Sequence, residues 1–290
     1  QVKREWTGVK WVIEGDIKGF FANIDHDILL TILNEQIHDG RFLELIRKML
    51  KAGYMEDWVF HKTYSGTPQG GIISPILANI YLNKLDEFVE QVLIPKYETN
   101  KKKRKMNTTY NSINGKMVRL SKKIEELPES SPTRAELIQV YKELEIERRN
   151  HKVVDEMDSE FIRVKYVRYA DDFIIGVIGS KELTEQLKNE VAEFLQDRLK
   201  LTLSPEKTLI TNFKDPVKFL GYEMYIQDSN TYLVKRKNGR ISRAVNGIPR
   251  LMVPKEAIPK KLEKFMRDGK AVHRKELTNL DIAEIISIYS

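Results

Sequence analysis

Tyr169-Ala170-Asp171-Asp172 lies between two apolar, β-prone runs, 162–167 before it and 173–177 after it. Two strands joined by a tight turn form a hairpin with two adjacent carboxylates at its tip. Adjacent like charges repel, and burying them is costly unless a counter-charge pairs with them. A hard divalent cation meets that need with oxygen ligands, and water or substrate phosphate completes its shell. Turn chemistry alone also explains an Asp pair, because Asp side chains bond nearby backbone. The turn at Ala170-Asp171 lacks the Asn-Gly or Gly that two-residue hairpin loops prefer. Its backbone is therefore expected to be strained so as to aim both carboxylates, and ordinary dihedrals at Ala170 and Asp171 would refute this.

A second acidic site raises the first above turn chemistry. Trp11-Val12-Ile13 reads as a short buried strand that runs to Asp16, with a Gly-containing turn after it. Asn23 and Asp25 are candidate caps for the next helix, and Ile28, Leu29, Ile32 and Leu33 give its apolar stripe. A carboxylate at the end of a core strand sits at the lip of a sheet, where a neighbouring hairpin tip can meet it. Asp16, Asp171 and Asp172 are then expected to converge. Such a cluster holds two metal ions roughly 3.5–4 Å apart, the arrangement for in-line displacement at phosphorus. As a capping residue, Asp16 would need no metal.

Five segments in order resemble the motif series of reverse transcriptases: 16–21 (Asp-Ile-Lys-Gly-Phe-Phe), 66–71 (Gly-Thr-Pro-Gln-Gly-Gly), 169–172, 203–208 (Leu-Ser-Pro-Glu-Lys-Thr) and 219–222 (Phe-Leu-Gly-Tyr). The run from Ser65 to Pro75 resembles the branch encoded by group II introns, the reverse transcriptase/maturase proteins. The resemblance implies an α+β fold, the polymerase palm. That is a ferredoxin-like antiparallel sheet with helices on one face, here with a helical insertion. It implies RNA-directed DNA synthesis for intron mobility, with intron RNA binding and a maturase role in splicing. Asp16, Asp171 and Asp172 would hold two Mg²⁺ ions, with Mn²⁺ as a substitute, and the backbone carbonyl of Ile17 would be a further ligand.

By the same resemblance Phe21 is a steric gate against the ribose 2′-oxygen, and Gln69 and Gly70 belong to the nucleotide-binding loop. Lys207 is the proton donor to pyrophosphate, and Phe219, Leu220, Gly221 and Tyr222 form the primer grip. Phe21 reads equally as a core aromatic, and the two roles are compatible. The partners implied are group II intron RNA, an RNA template with a DNA primer, and deoxynucleoside triphosphates. The resemblance begins partway into the family's polymerase region and stops near the start of its thumb/maturase region, as in a fragment. Two alternatives stay open. One is an RNA-binding splicing cofactor with no turnover. The other is a retron, diversity-generating or CRISPR-associated reverse transcriptase.

The 290 residues suffice for a sizeable core and more than one subdomain. With 49 Lys+Arg against 42 Asp+Glu, the net charge of +7 suits an anionic partner, though the charges are mixed. Clustering says more. Lys101, Lys102, Lys103, Arg104 and Lys105 form one basic block, and Lys235, Arg236, Lys237 and Arg240 begin a second. Both are candidate RNA contacts through phosphate, and a solvated loop explains the first block equally well. With no cysteine, disulfides and thiolate metal sites are excluded. No apolar run approaches the ~20 residues of a membrane span, and no signal peptide is apparent. The expected setting is intracellular, the bacterial cytoplasm first and an organelle second.

Four regions are expected. Residues 1–90 hold the first half of the palm and fingers with the nucleotide-binding loop. Ser74 with Pro75 is expected to open a helix there, striped by Ile76, Leu77, Ile80, Tyr81, Leu85 and Phe88. Residues 91–160 form a charged helical insertion packed on the palm. It has one helix over about 117–127 and another opened by Ser131-Pro132-Thr133, with Thr133 and Glu136 at capping-box spacing and a stripe of Leu137, Val140, Tyr141 and Leu144. Residues 161–230 hold the hairpin, a helix marked by Leu183, Leu187, Val191, Leu195 and Leu199, and two further strands. Residues 231–290 are a basic appendix, a β-ribbon to about Val253 and then helices.

Overall fold

A computed structural model of the chain describes residues 1–56, 59–61, 66–67, 73–156, 158–227, 233–235, 237, 241–243, 247–257, 266–267 and 270–271. In chain order these give α1 (Val2–Glu5), β1 (Trp11–Gly15), α2 (Phe20–Asn23), α3 (His26–Asn34), α4 (Gly40–Lys51), β2 (Tyr54–Glu56) and β3 (Val59–His61). Next come α5 (Ser74–Phe88), which passes through a π-helical turn Val89–Leu93 into α6 (Ile94–Tyr97), then α7 (Thr108–Glu126) and α8 (Pro132–Asn150). The second half holds β4 (Arg163–Tyr169), β5 (Asp172–Ile178), α9 (Lys181–Leu199), β6 (Leu209–Asn212), β7 (Val217–Phe219) and β8 (Tyr222–Ile226). Short strands follow: β9 (Leu233–Lys235), β10 (Ile241–Arg243), β11 (Pro249–Met252), β12 (Met266–Arg267) and β13 (Lys270–Ala271).

The central sheet has four strands in the order β4-β5-β1-β6, every neighbouring pair antiparallel. Strands from both halves of the sequence therefore share one sheet. Side chains alternate faces along a strand. Ile13, Phe173, Ile175 and Val177 point into one apolar cluster, with Leu77, Tyr81 and Leu85 of α5 and Leu187, Val191, Leu195 and Leu199 of α9. Val12, Ile174 and Ile178 point the other way, toward Trp6, Phe213, Val217, Met224 and Ile226. Helices α5 and α9 thus lie on one face of this sheet. The other face is not open: the α1 segment and the sheet of β11-β8-β7 cover it. This explains why β5 reads as a continuous apolar run. Six of its seven residues are buried, and burial on both faces removes the polar alternation.

Several expected details shift. Asp25 caps α3, its carboxylate accepting from the backbone N–H of Asp27 and Ile28, whereas Asn23 ends α2 and donates to the Lys18 carbonyl. At α5 the cap position falls on Ile73, and Ile76 is 61% exposed rather than part of the buried stripe. The first insertion helix starts at Thr108, capped by Asn107. The second is capped in position by Ser131, not Thr133, with no side-chain capping bond. Leu137, Tyr141 and Leu144 are half-buried, but Val140 is exposed. α7 and α8 pair with each other, with Arg148 bonded to Asn114 at 2.8 Å. The insertion is tied down at its base, where Arg104 donates to the Gly8 carbonyl at 2.7 Å. Among the described residues, the region 161–230 has three strands after its helix, not two. Beyond residue 253 the helices expected there fall mostly outside the described residues, and the strands described are the short β12–β13 pair.

Candidate active site

The strand register brings the distant carboxylates to one place. Gly15 pairs with Phe173 at the end of the β1–β5 ladder. One further step in that register sets Asp16 across from Asp172. Asp171 sits beside them in the turn between β4 and β5. Asp16 and Asp171 line a cleft of about 540 Å³ together with Ile17, Phe21 and Lys207. Gly15 is required here by close approach, since a Cβ on it would lie 2.2 Å from the Phe173 ring.

Tyr169 pairs with Asp172, leaving a two-residue turn at Ala170-Asp171. Ala170 has φ +53°, in the left-handed region, and Asp171 does not. A positive φ at the first central residue alone is the requirement of a II′ turn, where Gly ordinarily stands. The expected strain therefore falls on Ala170, at about 1–2 kcal/mol for a residue with a Cβ. The Arg168 guanidinium donates to the Ala170 carbonyl at 2.8 Å and grips Asp86 of α5 through two bonds of 2.8 and 2.6 Å. Tyr166 also donates to Asp86, at 2.8 Å, and burial followed by the Asp86 charge pushes its phenol well above the usual range.

Asp172 is exposed by surface area, yet its carboxyl is held above the ordinary range. Partial burial is the first cause, and the charges of Asp171 and Asp16 add to it, while Lys207 opposes them. Lys207 lies 3.4 Å from Asp16 and is 71% exposed. Its loop is strapped to the Asp16 backbone: Ser204 N–H donates to the Asp16 carbonyl at 2.8 Å, and Lys18 N–H donates to Thr202 at 2.9 Å. Ile17 is 3% exposed and bridges Leu203 in the same strap.

Phe21 packs against the core and also lines the cleft. The Gly66-Thr67 backbone docks on the segment that carries Phe21. Gly66 N–H donates to Ile24 at 2.8 Å and Thr67 N–H to Phe21 at 2.7 Å. A Cβ at Gly66, which has φ +83°, would lie 2.3 Å from the Phe21 carbonyl. His26, buried at 8% exposure, donates through Nε2 to the Gly66 carbonyl at 2.7 Å. That clamp was not read from the sequence, where His26 is simply the residue after a cap. Gln69 and Gly70 lie outside the described residues.

Phe219-Leu220-Gly221-Tyr222 forms the β7–β8 hairpin, with Phe219 opposite Tyr222. Leu220 at φ +50° and Gly221 at φ +75° give the two positive values of a I′ turn. In the first basic block, Lys101 is paired with Asp158 and Glu160 and Arg104 is half-buried, while Lys102, Lys103 and Lys105 are exposed. Lys235 and Lys237 are exposed in the second block, and Arg236 and Arg240 lie outside the described residues.

Among the described residues, no three acidic or His side chains are gathered closely enough to form a ready-made metal cluster. The donor chemistry nevertheless fits hard cations. Three carboxylates act on one another electrostatically at a cleft, and the Asp172 charge is disfavoured by its neighbours. Divalent ions with oxygen ligands relieve that repulsion. No helix among the described residues is long and apolar enough to cross a membrane.

Residues 1–113 and 147–224 match the family model described as reverse transcriptase (RNA-dependent DNA polymerase). The unmatched stretch between them covers most of α7 and α8 and the turn that joins them. The chain is 41% identical over 301 residues to group II intron-encoded protein LtrA of Lactococcus lactis subsp. cremoris, covering 100% of this chain and 48% of that protein. It is 35% identical over 228 residues to the putative COX1/OXI3 intron 2 protein of Saccharomyces cerevisiae, covering 78% of this chain and 25% of that one. The chain thus spans about half the length of the Lactococcus relative. Among solved structures, telomerase from Candida albicans in complex with a fragment of telomeric RNA aligns at TM-score 0.42 and 14% identity, covering 81% of this chain and 32% of that one.

Proposed function

The chain belongs to the reverse transcriptase (RNA-dependent DNA polymerase) family, and from that premise we propose that it carries the catalytic palm of an RNA-directed DNA polymerase of the group II intron type. The observation that carries this is the register that sets Asp16 across from Asp172, with Asp16 and Asp171 lining one cleft and both their charges acting on Asp172. The strand order β4-β5-β1-β6, with helices between β1 and β4 and between β5 and β6, fits a ferredoxin-like palm.

In this reading Asp16, Asp171, Asp172 and the Ile17 carbonyl would hold two Mg²⁺ ions, or Mn²⁺ in their place. When bound, those ions supply charge stabilisation for the attacking and leaving oxygens. The reaction is attack of a primer 3′-hydroxyl on the α-phosphate of a deoxynucleoside triphosphate, with pyrophosphate departing. The protein has little covalent work here; it orients the groups and stabilises charge. Phe21 walls the cleft where a ribose 2′-hydroxyl would project. Lys207, exposed at the rim, donates a proton to pyrophosphate. The β7–β8 hairpin steadies the primer end. The glycine loop, whose Gly66 is clamped by His26, meets the incoming nucleotide. The whole protein binds its intron RNA and serves splicing as well as mobility, and the exposed lysines of the two basic blocks contact phosphate.

The test is primer extension on an RNA template with Mg²⁺ in the full-length protein. Asp171→Asn is expected to abolish synthesis and to leave RNA binding within about twofold. Equal loss of binding would make Asp171 structural. No extension by the wild type would leave a splicing cofactor without turnover.

A further inference from the structure

We propose that Arg168 is a positioning residue whose guanidinium, braced by Asp86 and Asn79 of α5, holds the strained Ala170 turn and so aims Asp171 and Asp172. The inference rests on the polymerase reading of those carboxylates.

The geometry is specific. Arg168 Nε donates to Asp86 Oδ1 at 2.8 Å and Nη2 to Asp86 Oδ2 at 2.6 Å. Nη1 donates to Asn79 Oδ1 at 3.1 Å and to the Ala170 carbonyl at 2.8 Å. One planar fork thus meets three acceptor groups on two elements through three separate nitrogens, a spread that the single nitrogen of a lysine does not reproduce. The side chains are withdrawn from solvent, Arg168 at 11% exposure and Asp86 at 24%. Tyr166 fixes Asp86 from the other side, at 2.8 Å. The guanidinium is therefore held on α5 before it touches the turn.

The contact falls where the backbone needs it. Ala170 takes φ +53° with a Cβ, a conformation that residues other than Gly leave readily when unsupported. Ala170 directly precedes Asp171, so relaxation there swings both carboxylates. Strain at a site persists only when its surroundings over-determine it, and Arg168 is the side chain bonded to that carbonyl. α5 directly follows the glycine loop, so the same brace links the carboxylate turn to the helix that carries that loop.

A tie that served only to join α5 to β4 would affect stability and nothing else. The full-length protein is therefore measured three ways: thermal midpoint, Mn²⁺ affinity without nucleic acid (by electron paramagnetic resonance), and kcat against KM for the nucleotide in primer extension. Arg168→Lys is expected to weaken Mn²⁺ binding about 10–100-fold, the range for groups that orient metal ligands. It is expected to lower kcat by a similar factor, with KM within about twofold. Tyr166→Phe, which loosens the same α5–β4 tie without touching the turn, leaves Mn²⁺ affinity near wild type. Adding Ala170→Gly to Arg168→Lys restores at least part of the Mn²⁺ affinity, because Gly holds a positive φ unaided. Unchanged Mn²⁺ affinity in Arg168→Lys, a loss equalled by Tyr166→Phe, or no recovery with Ala170→Gly would overturn the role. If the wild type has no Mn²⁺ site that Asp171→Asn removes, the two-metal reading itself falls, and the positioning role with it.

Discussion

Replacing Gly15 by Ala tests whether the β1–β5 register delivers the carboxylates. The new Cβ would sit 2.2 Å from the Phe173 ring, and ordinary contact begins near 3.4 Å, so the two strands or the ring must give by about 1.2 Å (3.4 − 2.2). The ring has no free space to enter: Phe173 is 1% exposed and sits 6.3 Å from the Tyr166 ring, centre to centre. Overpacking of this kind costs about 1–3 kcal/mol. At roughly 2–4 °C per kcal/mol for a chain of this size, the thermal midpoint falls by roughly 2–12 °C. The clash lies one residue from both Asp16 and Asp172. A displacement near 1 Å among reacting groups costs on the order of 100-fold in rate. The control is Gly176→Ala, three pairs further along the same ladder, whose Cβ meets the Trp6 ring at 2.7 Å on the opposite face. Thermal unfolding and single-turnover extension, corrected for folded protein, separate the effects. Both variants lose stability, but only Gly15→Ala loses rate. Full rate in Gly15→Ala, or parallel rate losses in both, would refute the reasoning.

Asp172→Asn lowers extension by more than about 100-fold, beyond the range for residues that only orient a metal ligand, as single-turnover kinetics will report. The same variant gains stability relative to wild type at neutral pH. The folded Asp172 carboxyl is raised, so its ionised form is disfavoured in the fold; the penalty is absent below the unfolded pKa and present above the folded one. The stability gap therefore opens as pH rises through the carboxylate range, which denaturant titration at several pH values checks, and a gap that shrinks with pH contradicts it. Phe21→Ala admits ribonucleotides, lowering the preference for deoxynucleotides by at least about 10-fold, and unaltered sugar discrimination removes the gate. His26→Ala frees the Gly66 carbonyl and raises KM for the nucleotide by about 10-fold, at a stability cost of about 1–3 kcal/mol for the orphaned buried acceptor.

Much of the site was legible because it lies at strand ends with local signals. Val12 and Ile13 mark β1, the apolar run after Asp172 marks β5, and together they place the carboxylates at neighbouring tips. A tight turn without Gly pointed to a strained backbone, and the positive φ falls at Ala170 and not at Asp171. The i, i+4 spacing of Leu187, Val191, Leu195 and Leu199 gave α9 outright. What escaped depends on pairings across long separations. Arg168 to Asp86 spans 82 residues and His26 to Gly66 spans 40, and no local period announces either bond. Ile76 and Val140 fit their helical stripes but face outward, because a stripe shows which face is apolar and not how far the neighbouring element reaches. The second cover over the sheet was missed for a related reason. The strands β7, β8 and β11 are short, and their register against one another comes from tertiary contact.

Anomalous diffraction from crystals of the full-length protein grown with Mn²⁺, a primer–template and an unreactive deoxynucleotide tests the central claim most directly. Two peaks roughly 3.5–4 Å apart, both touching Asp171 or Asp172 and at least one touching Asp16, are the predicted result. Metal bound beside the triphosphate with Asp16 turned away, in a complex that extends primers once the nucleotide is exchanged, would contradict it.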